Sequence, residues 1–447
     1  MSTVMDEIKD KISFRPVFCC REDVIRIAPA LRMLLRKNEA SIVVFKTNDL
    51  VSRYIEDGEE FFSIFSPVKN NQTLNKILIP TYIVKCKDMD EQYRVIKEEL
   101  KRRTDVNIIA IQGTGVFAWG ETKTAADKRM ALFLDLVKVK NYGSLNNKIN
   151  FTEIESCLSQ NYGKVVTGLQ TGGKGLSEKI SIVTGAAQGF GKGIAQSLAE
   201  EGANVILADL NADMARKNAL KLNEEYGQGK SLAVEVDVTN EDYVKNMIWE
   251  TVAEYGGIDI FISNAGVLKA GGLENMDLES FELSTKVNYT AFFLCTKYAS
   301  EPMKTQFRFN HDYFSDIIQI NSKSGLEGSK KNFTYAGSKF GGIGLTQSFA
   351  LELIEYNIKV NAVCPGNFFE GPLWSDPQNG LFIQYLKSNK VSGARTIKDV
   401  RKFYESKVPM KRGCQINDVT KAIFYIIDQK YETGQVVPVT GGQIMLR

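Results

Sequence analysis

Tyr335 and Lys339 stand four residues apart in Tyr335-Ala336-Gly337-Ser338-Lys339. On a helix they share one face, about one turn apart. An ammonium beside a phenol favours the phenolate and brings its pKa toward a value useful for a base. Taken alone, such a pair is common and usually marks a solvated helix face. Here Ser322 lies thirteen residues upstream, at the end of the apolar run DIIQINS.

A second constellation is Thr184-Gly185-Ala186-Ala187-Gln188-Gly189-Phe190-Gly191, between the apolar run ISIV and the amphipathic stretch GKGIAQSLAEEG. Gly185 permits a tight turn. Gly189 and Gly191 let backbone approach a pyrophosphate and let the helix pack on the strand. The helix N-terminus offers N–H donors to phosphates. The candidate cofactor residues of this turn are Gly185, Gln188, Gly189, Phe190 and Gly191. The next strand, ANVILADL, carries Asp209 about twenty residues past the loop. A carboxylate there accepts hydrogen bonds from ribose hydroxyls and repels a 2′-phosphate. No Arg or Lys stands beside Asp209 or inside the turn, so the expected cofactor is NAD rather than NADP. Asp237 and Val238 close a third strand and suit the adenine edge; Asp237 reads equally well as a strand-end turn residue.

These residues need a scaffold, and the chain supplies an alternation. ISIVTG, ANVILADL, SLAVEVDV, IDIFISNAG, DIIQINS, IKVNAVCPG and QVVPVTGG read as seven strands, most separated by helical stretches. Such alternation implies a parallel sheet with helices on both faces. A Gly-, Thr- and Lys-rich stretch over 163–179 reads as a linker. Before it, ASIVVF, LIPTYIVKC and NIIAIQGTG are strand-like. REDVIRIAPALRMLLRKN, DEQYRVIKEELKRR and TKTAADKRMALFLDLVKVKNYG have helical periodicity. We therefore expect an α/β domain over 1–175 and a second over 176–447.

Composition narrows the function. The 447 residues carry 56 basic and 53 acidic side chains, net +3, with no polyelectrolyte signal for nucleic acid. No run approaches the ~18 apolar residues of a membrane helix, and the charged start MSTVMDEIKDK reads as no secretion signal. The seven cysteines are scattered without a CxxC, a reduced, cytoplasmic pattern. A single histidine, His311, leaves nothing for a multi-histidine metal site, so no metal is expected.

The glycine turn, Ser322, Tyr335 and Lys339 together resemble the short-chain dehydrogenase/reductase family from about residue 178 to 447. Ser263-Asn264-Ala265-Gly266 is similar to the family's motif after the fourth strand, with Ser in place of its first Asn. Asn288 in KVNYTAFF matches the family's helix Asn, and Cys364-Pro365-Gly366 its nicotinamide-side turn. The family's Thr after that turn has no evident counterpart in NFFEGPLW. VPMKRGCQINDV and VTGGQIML are also family-like.

The resemblance implies a Rossmann-type doubly wound sheet and hydride transfer with NAD. Tyr335 would take the proton from a substrate hydroxyl, and Ser322 would orient and polarise the oxygen. Lys339 would hold the nicotinamide ribose and lower the Tyr335 pKa. Asn288 would support a water that relays the proton. Asn264, Ala265, Gly266, Pro365 and Gly366 would line the cofactor. A narrower resemblance, to the sorbitol-6-phosphate 2-dehydrogenase branch, rests on IIQINSKSG, GSKKN, YAGSKFGGIGLTQS and KVPMKRGC. It points to a polyol or sugar-phosphate substrate, with Lys323 as a phosphate contact and Lys330 and Lys331 as further candidates. The segment 367–408 would cover the substrate, with Trp374 as a contact. The family also implies a homo-oligomer, a tetramer or dimer. Alternatives are a lactaldehyde/propanediol oxidoreductase and a non-catalytic dinucleotide-sensing scaffold.

NIIAIQGTGVFAWGETKTAADKRMALFLDLVKVKNYGS resembles the end of the class II aldolase-like half of bifunctional aldolase/dehydrogenases. Class II aldolases hold zinc through histidines, and residues 1–177 contain none. The expectation is a degenerate, non-catalytic aldolase-like domain. Gly113-Thr114-Gly115 is expected as a strand–turn–helix junction rather than a phosphate cradle.

Overall fold

The structure is a computed structural model. It describes the chain except residues 1–7, 9–11, 18, 37–40, 104, 146–150, 163–174, 270, 379, 388 and 446–447. Most of the expected 163–179 linker therefore lies outside the described residues. The chain divides into two compact units. The first comprises residues 1–178, 249–257 and 308–310; the second comprises 179–248, 258–307 and 311–447.

The first unit holds a four-stranded sheet: β1 (Ile42–Lys46), β2 (Pro80–Ile83), β3 (Ile108–Ile111) and β4 (Gly115–Gly120), in the order β1-β4-β3-β2. β2 and β3 run parallel; β4 is antiparallel to both β3 and β1. The three expected helices are present at Arg21–Leu35, Met89–Arg102 and Lys123–Leu145. One expectation is corrected. Gly113-Thr114-Gly115 joins two strands, not a strand and a helix. Gly113 takes φ +63° at the turn, and Gly115–Gly120 then returns as β4. Every residue of β4 is buried, so it lacks the polar–apolar alternation that marks a half-exposed strand.

The second unit holds seven parallel strands: β5 (Ile180–Thr184), β6 (Asn204–Asp209), β7 (Ser231–Glu235), β8 (Ile260–Ser263), β9 (Ser315–Ile320), β10 (Ile358–Pro365) and β11 (Val436–Val439). Their order is β11-β10-β9-β8-β5-β6-β7. All seven expected strands appear. β5, β9 and β10 are buried along their whole length, as strands covered on both faces must be. The order reverses direction between β5 and β8. In open parallel sheets the ligand crevice forms at such a switch, outside the carboxyl ends of the strands.

A buried ion pair ties the sheet to its last long helix. β9 and β10 pair so that Asp316 faces Lys359. Lys359 Nζ lies 3.1 Å from Asp316 Oδ1, and both side chains are essentially solvent-free. The same ammonium donates to the carbonyls of Ile426 (2.5 Å), Ile427 (3.3 Å) and Gln429 (2.6 Å). These end the helix Ile416–Asp428, where a cation also meets the negative end of the helix dipole. Among the described residues no helix is long and apolar enough to cross a membrane.

Candidate active site

β5 delivers the glycine turn. Gly185 and Gly189 adopt φ of +66° and +61°, conformations that other residues take only under strain. A Cβ on Gly185 would lie 2.9 Å from Ala265 Cα, so the turn presses against the Asn264-Ala265 segment after β8. A Cβ on Gly189 would meet nothing nearer than Pro372 Cδ at 4.0 Å. The backbone there is open to a ligand, as a pyrophosphate cradle requires.

Thr184 clips the two loops together, a role sequence reading missed. Its Oγ1 accepts from the main-chain N–H of Asn264 (3.0 Å) and Ala265 (3.1 Å). Asn264 Nδ2 donates back to the carbonyls of Thr184 (2.8 Å) and Gly185 (3.2 Å). The available signal was a threonine at the end of the strand, directly before the glycine turn. Asp209 ends β6 half-buried, its Oδ2 accepting from Ala187 N–H and its Oδ1 from Asn211 N–H, both at 2.8 Å. The carboxylate is thereby fixed beside the turn with lone pairs left for a diol. Asp237 accepts from the N–H (2.9 Å) and hydroxyl (2.7 Å) of Thr239, the strand-end turn role its sequence context allowed. Val238 is buried. After β10, Gly366 donates its N–H to Val439 (2.9 Å). Phe368 then stacks on Phe190 of the glycine turn, centroids 4.6 Å apart and planes at 23°. This stack joins the two lips of the crevice.

β9 and the helix Phe333–Leu353 bring the reactive set together. Asn321 is buried between them. Its Oδ1 accepts from Ser322 N–H (2.8 Å), and its Nδ2 donates to the Lys339 carbonyl (2.9 Å). Gly342 lets the helix close in, since a Cβ there would strike the Gln319 amide at 2.6 Å. Neither Asn321 nor Gly342 was foreseen. Ser322 caps the one-turn helix Lys323–Gly325, accepting from Ser324 N–H at 3.1 Å, and its side chain acts to lower the pKa of the Tyr335 phenol. Lys339 is buried, and its Nζ donates to the Ile320 carbonyl at 3.0 Å.

The charges behave differently from the expectation. Burial pushes the Tyr335 phenol up, and the influence of the Ser322 side chain only partly offsets it. Lys339 Nζ is 5.7 Å from the Tyr335 ring centroid, and burial pushes this ammonium down to about 8. Burial disfavours the charged form of both groups, so the lysine lends the phenolate less support than an exposed one would. The protein's own groups thus raise the Tyr335 pKa rather than lower it.

Asn288 sits in a single π-helical turn, Lys286–Thr290, a distortion often found at functional sites. Its Nδ2 donates to the Val267 carbonyl (2.9 Å) and Ser338 Oγ (3.2 Å), and its Oδ1 accepts from Val267 N–H (2.9 Å). Gly266 passes close by, since a Cβ would come 3.1 Å from Asn288 Oδ1 and 3.8 Å from Lys339 Nζ. Serine, tyrosine, lysine and asparagine therefore meet beside the glycine turn, at the carboxyl edge of the sheet.

Residues 179–373 match the family model for short chain dehydrogenases. Sorbitol-6-phosphate 2-dehydrogenase of Escherichia coli is 35% identical over 269 residues, 60% of this chain and 99% of that protein. The chain belongs to the short-chain dehydrogenase family. It is thus an oxidoreductase of a family that uses nicotinamide cofactors. Trans-4-hydroxycyclohexanecarboxylate dehydrogenase of Sinomonas cyclohexanicum is 30% identical, covering 60% of this chain and 93% of that one. Among solved structures, sorbitol-6-phosphate 2-dehydrogenase from Erwinia amylovora is similar at 38% identity and a TM-score of 0.54, covering 60% of this chain and all of that one.

Substrate-side residues divide. Lys323 follows Ser322 and is half-buried; burial pushes its ammonium down to about 8. Trp374 departs from the expectation of a substrate contact. Its ring is buried in a separate apolar cluster with Phe369, Leu381, Phe382, Val391 and Val400. It lies edge-on to Phe369 and Tyr404, each at 5.0 Å. Tryptophan is the largest apolar side chain in 367–408, and packing claims it.

Proposed function

We propose that the chain is an NAD-dependent dehydrogenase that interconverts a polyol or polyol phosphate and its ketose. The observation that carries this is the convergence of Ser322, Tyr335 and buried Lys339, tied together through Asn321, next to a glycine turn open to a dinucleotide. The residues fit the cofactor. The open backbone at Gly189 suits its pyrophosphate and the fixed Asp209 carboxylate its adenosine ribose. That carboxylate would face a 2′-phosphate as a like charge, which favours NAD. Nicotinamide, when bound, supplies the hydride acceptor or donor.

The chain's own groups do the proton work. Ser322 holds the substrate oxygen against Tyr335. Tyr335 takes the hydroxyl proton during oxidation and returns it during reduction. A positive charge brought near the phenol lowers its pKa, and this offsets the burial that raises it. Lys339, near 8, passes a proton at neutral pH. Asn288, its carboxamide fixed by Val267 and Ser338, supports a water that relays the proton to Lys339.

We read residues 1–175 as non-catalytic, because class II aldolase chemistry takes imidazoles that this stretch does not contain. A homo-oligomer, cytoplasmic in location, completes the reading. The apolar side chains of Phe293, Phe340 and Leu351 stand exposed on two long helices, with Ile354 just past the end of one of them, which supports assembly with further copies. The test of function is an NAD(H)-linked screen of oxidation and reduction against polyols, their phosphates and lactaldehyde. Turnover of a polyol or its phosphate supports the reading, and turnover of lactaldehyde alone overturns it.

A further inference from the structure

The segment that follows β10 touches the glycine turn at two points. Phe368 stacks on Phe190, ring centroids 4.6 Å apart and planes at 23°. Further along, Pro372 Cδ is the nearest atom to a Cβ built on Gly189, at 4.0 Å. Phe368–Pro372 is thus a strap across the start of the helix Gly189–Glu200. Phe190 is the second residue of that helix, where main-chain N–H groups have no partner within the helix and are free to meet an anion. The residue whose N–H would face a pyrophosphate therefore has its ring held by the strap.

The strap is pinned on both sides of Phe368. Before it, Gly366 N–H donates to the Val439 carbonyl (2.9 Å), and the Asn367 carbonyl accepts from Cys414 N–H (2.8 Å). After it, Phe369 is buried in the Trp374 cluster, and Glu370 pairs with Arg401 of the helix Ile397–Ser406 at 2.5 Å. Gly371 closes a turn, its N–H donating to the Phe368 carbonyl at 3.1 Å. A Cβ on Gly371 would strike Phe368 Cδ1 at 2.5 Å, so only glycine leaves the ring where it lies. Phe190 and Phe368 are both half-buried, and each ring covers a face of the other. Stacked aromatic pairs attract beyond the area they bury.

We propose that Phe368 is a positioning residue for the dinucleotide: stacked on Phe190, it holds the strap over the glycine turn and slows the departure of the cofactor. The assignment rests on the dinucleotide reading of that turn and deepens it, and it holds whichever alcohol is oxidised. Because the strap is fixed at its other contacts, the ring stack is the one tie between it and the helix start that must part for a diphosphate to leave. Such a tie acts on the rate of release more than on the rate of arrival, as affinity differences between related complexes usually do.

The experiment is stopped-flow fluorescence of NADH release and association, which needs no turnover. Phe368→Ala is expected to speed release about 3- to 10-fold, with affinity falling in step. Phe190→Leu should do the same, and the double variant should exceed neither single one, because each removes the same contact. Phe368→Tyr keeps the ring and the wild-type rate. Gly371→Ala leaves both rings in the chain but displaces Phe368, so it should also speed release, and should add nothing to Phe368→Ala. Unchanged release in Phe368→Ala, or effects that multiply in the double variant, overturns the assignment. Release and association that quicken equally, with affinity unchanged, overturn it as well. A wild type that binds NADPH in place of NADH refutes the NAD reading instead, and the same rates taken with NADPH then decide the role of Phe368.

Discussion

A Cβ placed on Gly191 would stand 2.1 Å from the carbonyl oxygen of Gly185. The first turn of the helix Gly189–Glu200 therefore rests directly on the turn that leaves β5, with no space for a methyl group. Overpacking of this kind displaces backbone. Gly191→Ala is expected to weaken NADH binding about tenfold or more while leaving far-ultraviolet circular dichroism unchanged. A fluorescence titration of NADH measures it; wild-type affinity would contradict the close-approach role.

Tyr335→Phe keeps the ring and removes the hydroxyl. Turnover should fall by roughly 10²–10⁴, with NADH binding largely retained. Activity within a few-fold of wild type would remove Tyr335 from the mechanism.

Cofactor preference follows from Asp209. The enzyme should use NAD(H) more efficiently than NADP(H), and Asp209→Ala should narrow the gap. Because the carboxylate also holds the Ala187 and Asn211 N–H groups, the variant should lose some affinity for both cofactors. Catalytic efficiencies with each cofactor decide the matter, and a wild type that prefers NADP refutes it.

Burial raises Tyr335 and pushes Lys339 down to about 8. Oxidation needs the phenolate, so its kcat/KM should climb from about pH 7 to pH 9. Ketose reduction needs the protonated phenol and should decline over the same interval. Profiles in both directions check this, and an oxidation optimum on the acid side of neutrality contradicts it.

Asp316 tests the buried ion pair. Burial raises its carboxyl from 3.8 to about 6, against the pull of Lys359. The folded chain thus holds this proton more tightly than the unfolded chain. The contribution is full below the unfolded value and is lost as pH rises through about 6. Asp316→Asn should flatten that part of the stability–pH curve, measured by thermal melts across the interval. Lys359→Met strips the ion pair and three carbonyl bonds at once and should cost about 3–5 kcal/mol.

The second unit was legible because each strand is a short apolar run ending in a turn residue, and because glycines, Ser322, Tyr335 and Lys339 keep fixed offsets from those ends. The residues that escaped notice act across the sequence. Thr184 binds a loop eighty residues away, and Asn321 ties Ser322 to a helix that starts beyond it. No local pattern encodes such pairings. Gly115–Gly120 escaped because strands buried on both faces lose their alternation. Trp374 was misplaced for a related reason: residue type marks a large aromatic, but only packing shows whether it faces a ligand or a core. The Tyr335 pKa went astray because spacing reveals the lysine neighbour and conceals the burial of both groups.

The apolar cluster around Trp374 has an evolutionary corollary. It sits in the stretch expected to cover the substrate and is packed largely on itself. Exchanges among Tyr385, Leu386 and Tyr404 perturb that small cluster first, while Ser322, Tyr335 and Lys339 hang from β9 and the helix Phe333–Leu353. Substitutions without shared partners combine nearly additively. Selection for a new substrate can therefore proceed in this insert, one tolerable step at a time, with the hydride-transfer apparatus inherited intact.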